Sequence, residues 1–90
     1  MSNLNASILD RRQPVHLQRI DPARNMARFY SMEVERDLFG RVVLVRRWGR
    51  LGTAGRTRLD EHRGEGEALA ALASLQARKK RRGYRMESGL

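Results

Sequence analysis

Side-chain character alternates well between residues 28 and 35, and this alternation constrains the fold more than any other feature of the chain. One side of the alternation carries Tyr30, Met32 and Val34, whereas the other carries serine and glutamate side chains besides Phe29. A repeat of two is that of a β-strand, in which successive side chains point to opposite faces of a sheet. The segment is therefore predicted to be a strand whose apolar side faces a core.

Three further extended segments surround this strand and predict an antiparallel sheet. Residues 15–21 are a short candidate that ends at a turn over Pro22–Asn25, where proline presets its φ and asparagine tolerates left-handed geometry. Residues 41–48 contain the continuous apolar run Val42–Val45, which is typical of a central strand covered, at least in part, on both faces. Residues 56–62 form a weaker fourth candidate.

Two tight connections are predicted from glycine. The hairpin loop Asp37-Leu38-Phe39-Gly40 ends in a residue for which a positive φ costs little. A second turn follows residue 48, where glycine recurs at intervals of three, at Gly49, Gly52 and Gly55. The second and third predicted strands, and then the third and fourth, are therefore expected to be neighbours.

Residues 65–82 are predicted to form a helix, because nearly all of them are good helix formers. Glu65 and Glu67 lie at its N-terminal end and a basic run at its C-terminal end, and both placements complement the helix macrodipole. Gly83 suits the position that ends such a helix. The sequence thus predicts an α+β fold: a small antiparallel sheet of about four strands with one C-terminal helix packed on a face.

The domain is expected to span residues 14–85. Residues 1–13 are polar and show no sustained period, so they are expected to be a flexible N-terminal tail, and residues 86–90 a flexible C-terminal tail. A chain of 90 residues buries roughly 60% of the surface that its unfolded form exposes, which leaves little room for a deep substrate cavity. Because no apolar run could span a bilayer and no secretory signal opens the chain, we expect a cytoplasmic protein that does not bind membranes.

Charge is the strongest compositional signal. The net charge is +9, and residues 46–90 hold twelve of the nineteen basic residues but five of the ten acidic ones. Seventeen of the basic residues are arginine, whose planar fork matches phosphate oxygens in pairs and stacks on bases. This distribution is typical of a nucleic-acid-binding protein. A protein or peptide partner, or a charge that serves solubility alone, is the alternative.

The most informative segment is Arg46-Arg47-Trp48-Gly49-Arg50. In an alternating strand Arg46 and Trp48 share a face, so the indole and a guanidinium form a stacking platform beside a phosphate clamp. Glycines let a backbone approach closely and present N–H groups to an anion. Other interpretations are that Trp48 anchors the core, that Arg50 caps a loop carbonyl, and that residues 78–82 are only a solvated helix end.

These features together resemble the WGR domain family. The fuller motif of that family is Trp-Gly-Arg, a hydrophobic residue, glycine, two variable positions and glycine, which residues 48–55 reproduce. Asn25 with Arg28-Phe29-Tyr30, the Phe39-Gly40 hairpin and the closing segment Lys79–Tyr84 also fit. The resemblance covers about residues 14–85, and it is to short stand-alone members that are typical of bacteria.

The resemblance implies a role in holding DNA. In poly(ADP-ribose) polymerases the WGR domain helps to hold broken DNA: its tryptophan packs against the sugar or base at a strand end, and nearby basic groups hold phosphate. Carried across, Trp48 would be the stacking residue, and Arg50 would contact the terminal phosphate region or a neighbouring domain. Ninety residues leave no room for a catalytic ADP-ribosyl transferase domain.

Catalysis is not expected, since the chain has no cysteine, only two distant histidines, His16 and His62, and no phosphate-loop lysine after its glycines. We therefore predict a non-enzymatic, nucleic-acid-binding module of low sequence specificity that needs no metal, cofactor or small-molecule substrate. DNA, at strand ends or breaks, is favoured over RNA, and an adaptor that binds protein through the Trp-Gly-Arg loop is the alternative. The predicted binding residues are Arg46, Arg47, Trp48, Gly49, Arg50, Arg78, Lys79, Lys80, Arg81 and Arg82.

Overall fold

The computed structural model describes residues 14–87 as one antiparallel sheet with a helix on one face. Its elements are β1 (Val15–Asp21), β2 (Met26–Arg36), β3 (Val42–Arg50), β4 (Arg56–His62), α1 (Glu65–Arg81) and β5 (Arg85–Met86). A short 3-10 turn, Pro22–Arg24, joins β1 to β2, and the strand order across the sheet is β4-β3-β2-β1-β5. The predicted α+β arrangement of a small antiparallel sheet and a C-terminal helix is confirmed.

The core lies between the sheet and α1, on the side that the alternation of β2 predicts. Tyr30, Met32 and Val34 are buried there, and α1 places Ala68 and Leu72 against the same cluster. We call this side of the sheet the helix face and the opposite side the open face. Because a helix covers only the helix face, the run Val42–Val45 is not covered equally on both sides, and its residues Val43 and Val45 are only half-buried.

A fifth strand follows the helix and was not predicted. Gly83 has φ +98, and its N–H donates to Lys80 O at 3.0 Å while the Tyr84 N–H donates to Lys79 O at 3.0 Å. This pair of hydrogen bonds reverses the chain after the last helical turn. Tyr84 then folds onto the core with 9% of its surface exposed, and β5 pairs with β1.

Regular structure continues slightly beyond the predicted domain boundary at residue 85. Met86 lies opposite Leu17 in the sheet, and the Glu87 N–H donates to His16 O at 2.9 Å. Met86 and Glu87, the first two residues of the segment expected to be a C-terminal tail, therefore contact β1. Residues 1–13 and 88–90 lie outside the described residues, so flexible tails there remain predictions.

The β2–β3 hairpin sets the register of the central strands. Oδ1 of Asp37 accepts the N–H groups of Phe39 and Arg41, each at 2.9 Å, and Oδ2 accepts Arg41 Nε at 2.8 Å. Although desolvation acts in the opposite direction, the hydrogen bonds from Arg41 and Phe39 hold the pKa of Asp37 below its ordinary value. The resulting register pairs Tyr30 with Trp48 further along the hairpin.

In the described part of the chain, no helix is long and apolar enough to cross a membrane.

Candidate functional site

Trp48 lies on the helix face near the end of β3. It is opposite Tyr30 of β2 and Arg56 of β4, and its ring is nearly parallel to that of Tyr30, with an interplanar angle of 19° and centroids 5.9 Å apart. The indole is partly buried and packs against the edge of the core. The core-anchor and surface interpretations of Trp48 are therefore compatible, because one part of the ring is held by Tyr30 and another part is open to solvent.

Arginines from four strands surround Trp48 on the helix face. Residues directly opposite one another in antiparallel strands share a face, so the register defines which arginines lie together. Arg28 is paired with both Arg19 and Arg50, Arg56 lies opposite Trp48, and Arg58 lies opposite Arg46. We call these six residues the arginine rows: Arg19, Arg28, Arg46, Arg50, Arg56 and Arg58.

The basic end of α1 reaches the same aromatic group. Lys79 Nζ lies 4.3 Å from the centre of the Tyr30 ring and 5.6 Å from that of Tyr84. Burial lowers the pKa of Lys79, and the charges of Arg82, Arg46 and Arg78 lower it further. The helix run and the strand motif, which are some thirty residues apart in the sequence, are therefore close enough to interact electrostatically.

Only part of the helix run faces this region. Arg82 is four positions after Arg78 and three after Lys79, so it is a neighbour of both on the helix surface. All three line a cleft of about 180 Å³. The other lining residues are Tyr30, Arg46 and Leu75. Lys80 and Arg81 are exposed and do not line the cleft. We call the arginine rows together with Arg78, Lys79 and Arg82 the basic surface.

The side chain of Arg46 is occupied by contacts within the protein. Its position in the sequence predicts instead a guanidinium that is free to bind phosphate. Its Nε lies 2.7 Å from Asp60 Oδ2, its Nη1 donates to the Tyr30 hydroxyl at 3.3 Å, and its side chain is 17% exposed. Burial acts to lower its pKa, but the contacts with Tyr30 and Asp60 outweigh burial and raise it. Arg58 shares the same carboxylate at 2.9 Å, so these two arginines are partly neutralised.

Arg47 and Gly49 lie on the open face and are not brought together with Trp48. Arg47 is exposed, and its Nη2 donates to Ala54 O at 3.3 Å. Gly49 is opposite Phe29, and a Cβ at Gly49 would lie 2.8 Å from the Cα of Gly55. The alternation that unites Arg46 and Trp48 separates both of them from these two predicted site residues.

The glycines of the motif serve close packing of the β3–β4 loop. Gly55 has φ +72, and a Cβ there would lie 2.7 Å from Phe29 Cζ and against the Trp48 carbonyl oxygen. The loop thus folds back onto β3 and Phe29, and the Cα of Gly55 takes the space that a Cβ on Gly49 would need. Gly52 has φ +89 with no atom within 4 Å of a Cβ, so it permits the turn itself.

Arg50 ends β3 next to the β1–β2 turn. Its side chain is exposed, and its Nη1 donates to Asn25 O over a long 3.4 Å. Asn25 itself adopts left-handed geometry, with φ 52. Arg50 therefore combines loop capping with membership of the arginine rows, and its guanidinium keeps donors free for a ligand.

The WGR domain family model matches residues 13–89. The chain belongs to the WGR domain family. It is similar to the uncharacterized protein y4dW of Sinorhizobium fredii, with 41% identity over 76 residues that cover 84% of this chain and 37% of the relative. The chain thus spans little more than a third of that relative's length. No solved structure matches it significantly. WGR domains are known as nucleic-acid-binding domains of poly(ADP-ribose) polymerase-like proteins.

The charges of this WGR domain are segregated along the sheet. At the end formed by the β2–β3 hairpin and the start of α1, acidic groups are paired: Glu65 with Arg36 at 2.7 Å, and Asp37 with Arg41 at 2.8 Å. Within residues 14–87, no ion pair involves the remaining cations of the basic surface: Arg19, Arg28, Arg50, Arg56, Arg78, Lys79 and Arg82. Seven cations without an ion pair to any described residue therefore lie on the basic surface.

Four arginines of the basic surface in this WGR domain are not among the binding residues that the sequence predicts. Arg28 shares its side of the β2 alternation with Tyr30, so its face was available from the pattern alone. Arg19, Arg56 and Arg58 carry no such signal, because their neighbours are known only from the pairing of β1 and β4 with the central strands.

Proposed function

We propose that this WGR domain is a non-catalytic module that binds DNA through the basic surface, with low sequence specificity and with Trp48 stacking at a strand end or on an exposed base. The observation that carries the proposal is Lys79 Nζ at 4.3 Å from the Tyr30 ring. Because Tyr30 is also stacked on Trp48, this contact joins the basic helix end to the indole. We further propose that the protein works in a bacterial cytoplasm, in contact with the nucleoid.

Phosphate neutralisation supplies most of the affinity in this proposal. The uncompensated cations of the basic surface come from four strands of the sheet, β1 to β4, and from the C-terminal end of α1. Arginine forks bind phosphate oxygens in pairs, and phosphate contacts carry no sequence information directly. Low specificity also follows from the position of α1, which packs on the sheet and is not presented as a helix for the major groove.

Stacking supplies the preference for DNA form. The contact with Tyr30 holds the indole in one orientation before DNA arrives, so little side-chain entropy remains to be lost on binding. A base at a nick, at a blunt end or in a single strand offers an open face to such a platform. A base inside a closed duplex is already stacked on both sides.

The charge component predicts a steep dependence on salt. Neutralising about five phosphates gives a slope of about −4 for the logarithm of the association constant of duplex DNA against the logarithm of salt concentration. Arg28→Gln should reduce the magnitude of this slope by about one, because Arg28 is an exposed, unpaired member of the basic surface. Fluorescence anisotropy of labelled duplex at four or more salt concentrations measures both slopes.

Arg63→Gln is the matched control for this experiment. Arg63 is also exposed and its replacement removes the same charge, but it precedes the N-terminus of α1, about 25 Å from the basic end along the 17-residue helix. The control should leave the slope unchanged. A flat salt response of the wild type, or equal slopes for the two variants, would contradict the proposal and favour the protein-adaptor function. Competition by single-stranded RNA at equal concentration decides between DNA and RNA.

A further inference from the structure

We infer that the cleft beneath the last turn of α1 is a seat for a single phosphate group. The inference deepens the proposed function and rests on it for the physiological source of that phosphate, a nucleic-acid backbone. We also infer that this seat binds free inorganic phosphate in a saturable manner. The cleft is thereby distinguished from the rest of the basic surface, which acts through diffuse charge.

The volume of the cleft suits a single phosphate group and is too small for a whole small-molecule ligand. Its volume is about 180 Å³, which corresponds to the space of about six water molecules. Pockets that enclose a complete small molecule measure roughly 300–1,000 Å³. A phosphate with part of its hydration shell fits, whereas a nucleotide would have to leave its sugar and base outside.

The lining is strongly cationic. Four of its six residues are basic, Arg46, Arg78, Lys79 and Arg82, and none is acidic. Asp60 lies against Arg46 at 2.7 Å and is the acidic group next to the cleft. The three helix cations have no ion pair among residues 14–87, so they bring uncompensated charge to one small volume.

The aromatic rings of Tyr30 and Tyr84 position two hydrogen-bond donors in the cleft, the Lys79 ammonium and the Tyr30 hydroxyl. Lys79 Nζ stands over the rings of Tyr30 and Tyr84, and such cation–π contacts fix an otherwise flexible ammonium group. The Tyr30 oxygen accepts a hydrogen bond from Arg46 Nη1, which leaves the phenolic hydrogen to donate. No hydrogen bond found within residues 14–87 uses that hydrogen. An oxyanion in the cleft would accept hydrogen bonds from side chains of the sheet and of α1 at the same time.

The crowding of cations is a cost that a bound anion relieves. Burial and the charges of three arginines already lower the pKa of Lys79, so its ammonium group is destabilised in the free protein. A phosphate in the cleft replaces this repulsion with charge-assisted hydrogen bonds. Lys80 and Arg81 belong to the same run but lie outside the cleft, so they gain no comparable contact.

This division of the run provides a matched test with the full chain. The cleft variant is Arg78→Gln with Arg82→Gln, and the control variant is Lys80→Gln with Arg81→Gln; each removes two charges from exposed positions in the same helical turn and a half. Sodium phosphate is titrated into each protein at pH 7, against sodium chloride at equal ionic strength, and amide chemical shifts are followed by NMR. Circular dichroism checks that every variant is folded.

We expect saturable phosphate-dependent shifts around Tyr30 and Lys79 in the wild type and in the control variant, and affinity at least about tenfold weaker in the cleft variant. Absence of saturable phosphate binding in the wild type, or an equal loss of phosphate affinity in both variants, would overturn the inference.

The outcomes also separate the inference from the proposed function. If phosphate binding is saturable but DNA does not bind, the proposed function is wrong and the phosphate seat is supported. If DNA binds but phosphate causes no saturable chemical-shift change, the phosphate seat is contradicted and the proposed function is not. Displacement of labelled DNA by phosphate beyond the chloride effect identifies the DNA backbone as the source, and saturation without displacement identifies free phosphate.

Discussion

Replacing Gly55 with alanine is expected to lower the free energy of unfolding by about 3 kcal/mol. Left-handed geometry, with φ +72 at this position, costs a non-glycine residue about 1–2 kcal/mol. The new Cβ would also lie 2.7 Å from Phe29 Cζ and 3.0 Å from the carbonyl carbon of Trp48. Backbone cannot give way as a flexible side chain does, so overpacking adds about 1–3 kcal/mol. Urea denaturation followed by circular dichroism measures the change.

Gly52→Ala separates the two contributions to this effect. Gly52 has a similar φ of +89, but no atom lies within 4 Å of a Cβ placed there. Its replacement should cost about 1 kcal/mol, from backbone strain alone. Equal losses of stability in the two variants would contradict the conclusion that the glycines of the motif serve close packing against Phe29.

Replacing Trp48 with leucine is expected to weaken binding to single-stranded and nicked DNA about ten- to a hundredfold, and binding to covalently closed duplex less than about threefold. Stacking of a base on an aromatic ring contributes about 1–3 kcal/mol, and about 1.4 kcal/mol corresponds to a factor of ten. Leucine keeps apolar contact with Tyr30 and the core edge but offers no flat ring to a base. Fluorescence anisotropy with labelled oligonucleotides of each form, at one salt concentration, measures the three affinities.

Phe39→Leu is the control for the loss of an aromatic ring. Phe39 is 81% exposed at the tip of the β2–β3 hairpin, at the end of the sheet where acidic groups are paired, so its replacement should leave all three affinities unchanged. If Trp48→Leu reduced binding to closed and open forms by the same factor, the indole would have only a structural role. Unchanged affinities in every form would likewise rule out stacking.

The elements of this fold are predictable because each is encoded within a few neighbouring residues. The alternation around Tyr30 identifies β2 and its buried side, and the predicted bounds of β1 and β4 agree with the structure. Gly83 marks the end of α1 because a left-handed residue is needed there. The two-residue β5 is different: it is too short for any periodicity, and only the chain reversal after α1 brings it beside β1.

The site was harder to predict because it depends on pairings between distant segments. The ion pair of Arg46 with Asp60 exists only because β3 and β4 align in one register, which residue types do not specify. Alternation, which is local, correctly placed Arg46 with Trp48 and also implied that Arg47 lies on the other face. Phe29, which is distant in sequence, lies opposite Gly49 and packs beside it, and the residue types around Gly49 do not indicate this neighbour.

The most direct test of the central claim is a fluorescence titration of Trp48, the sole tryptophan of the chain, with blunt, nicked and single-stranded oligonucleotides at two salt concentrations. If the indole and the basic surface form one DNA-binding site, all three DNA forms should quench the emission, because each offers a base with an open face, and higher salt should shift every titration to higher DNA concentration. Emission that is unchanged by all three DNA forms at low salt, together with binding that does not respond to salt, would contradict the claim.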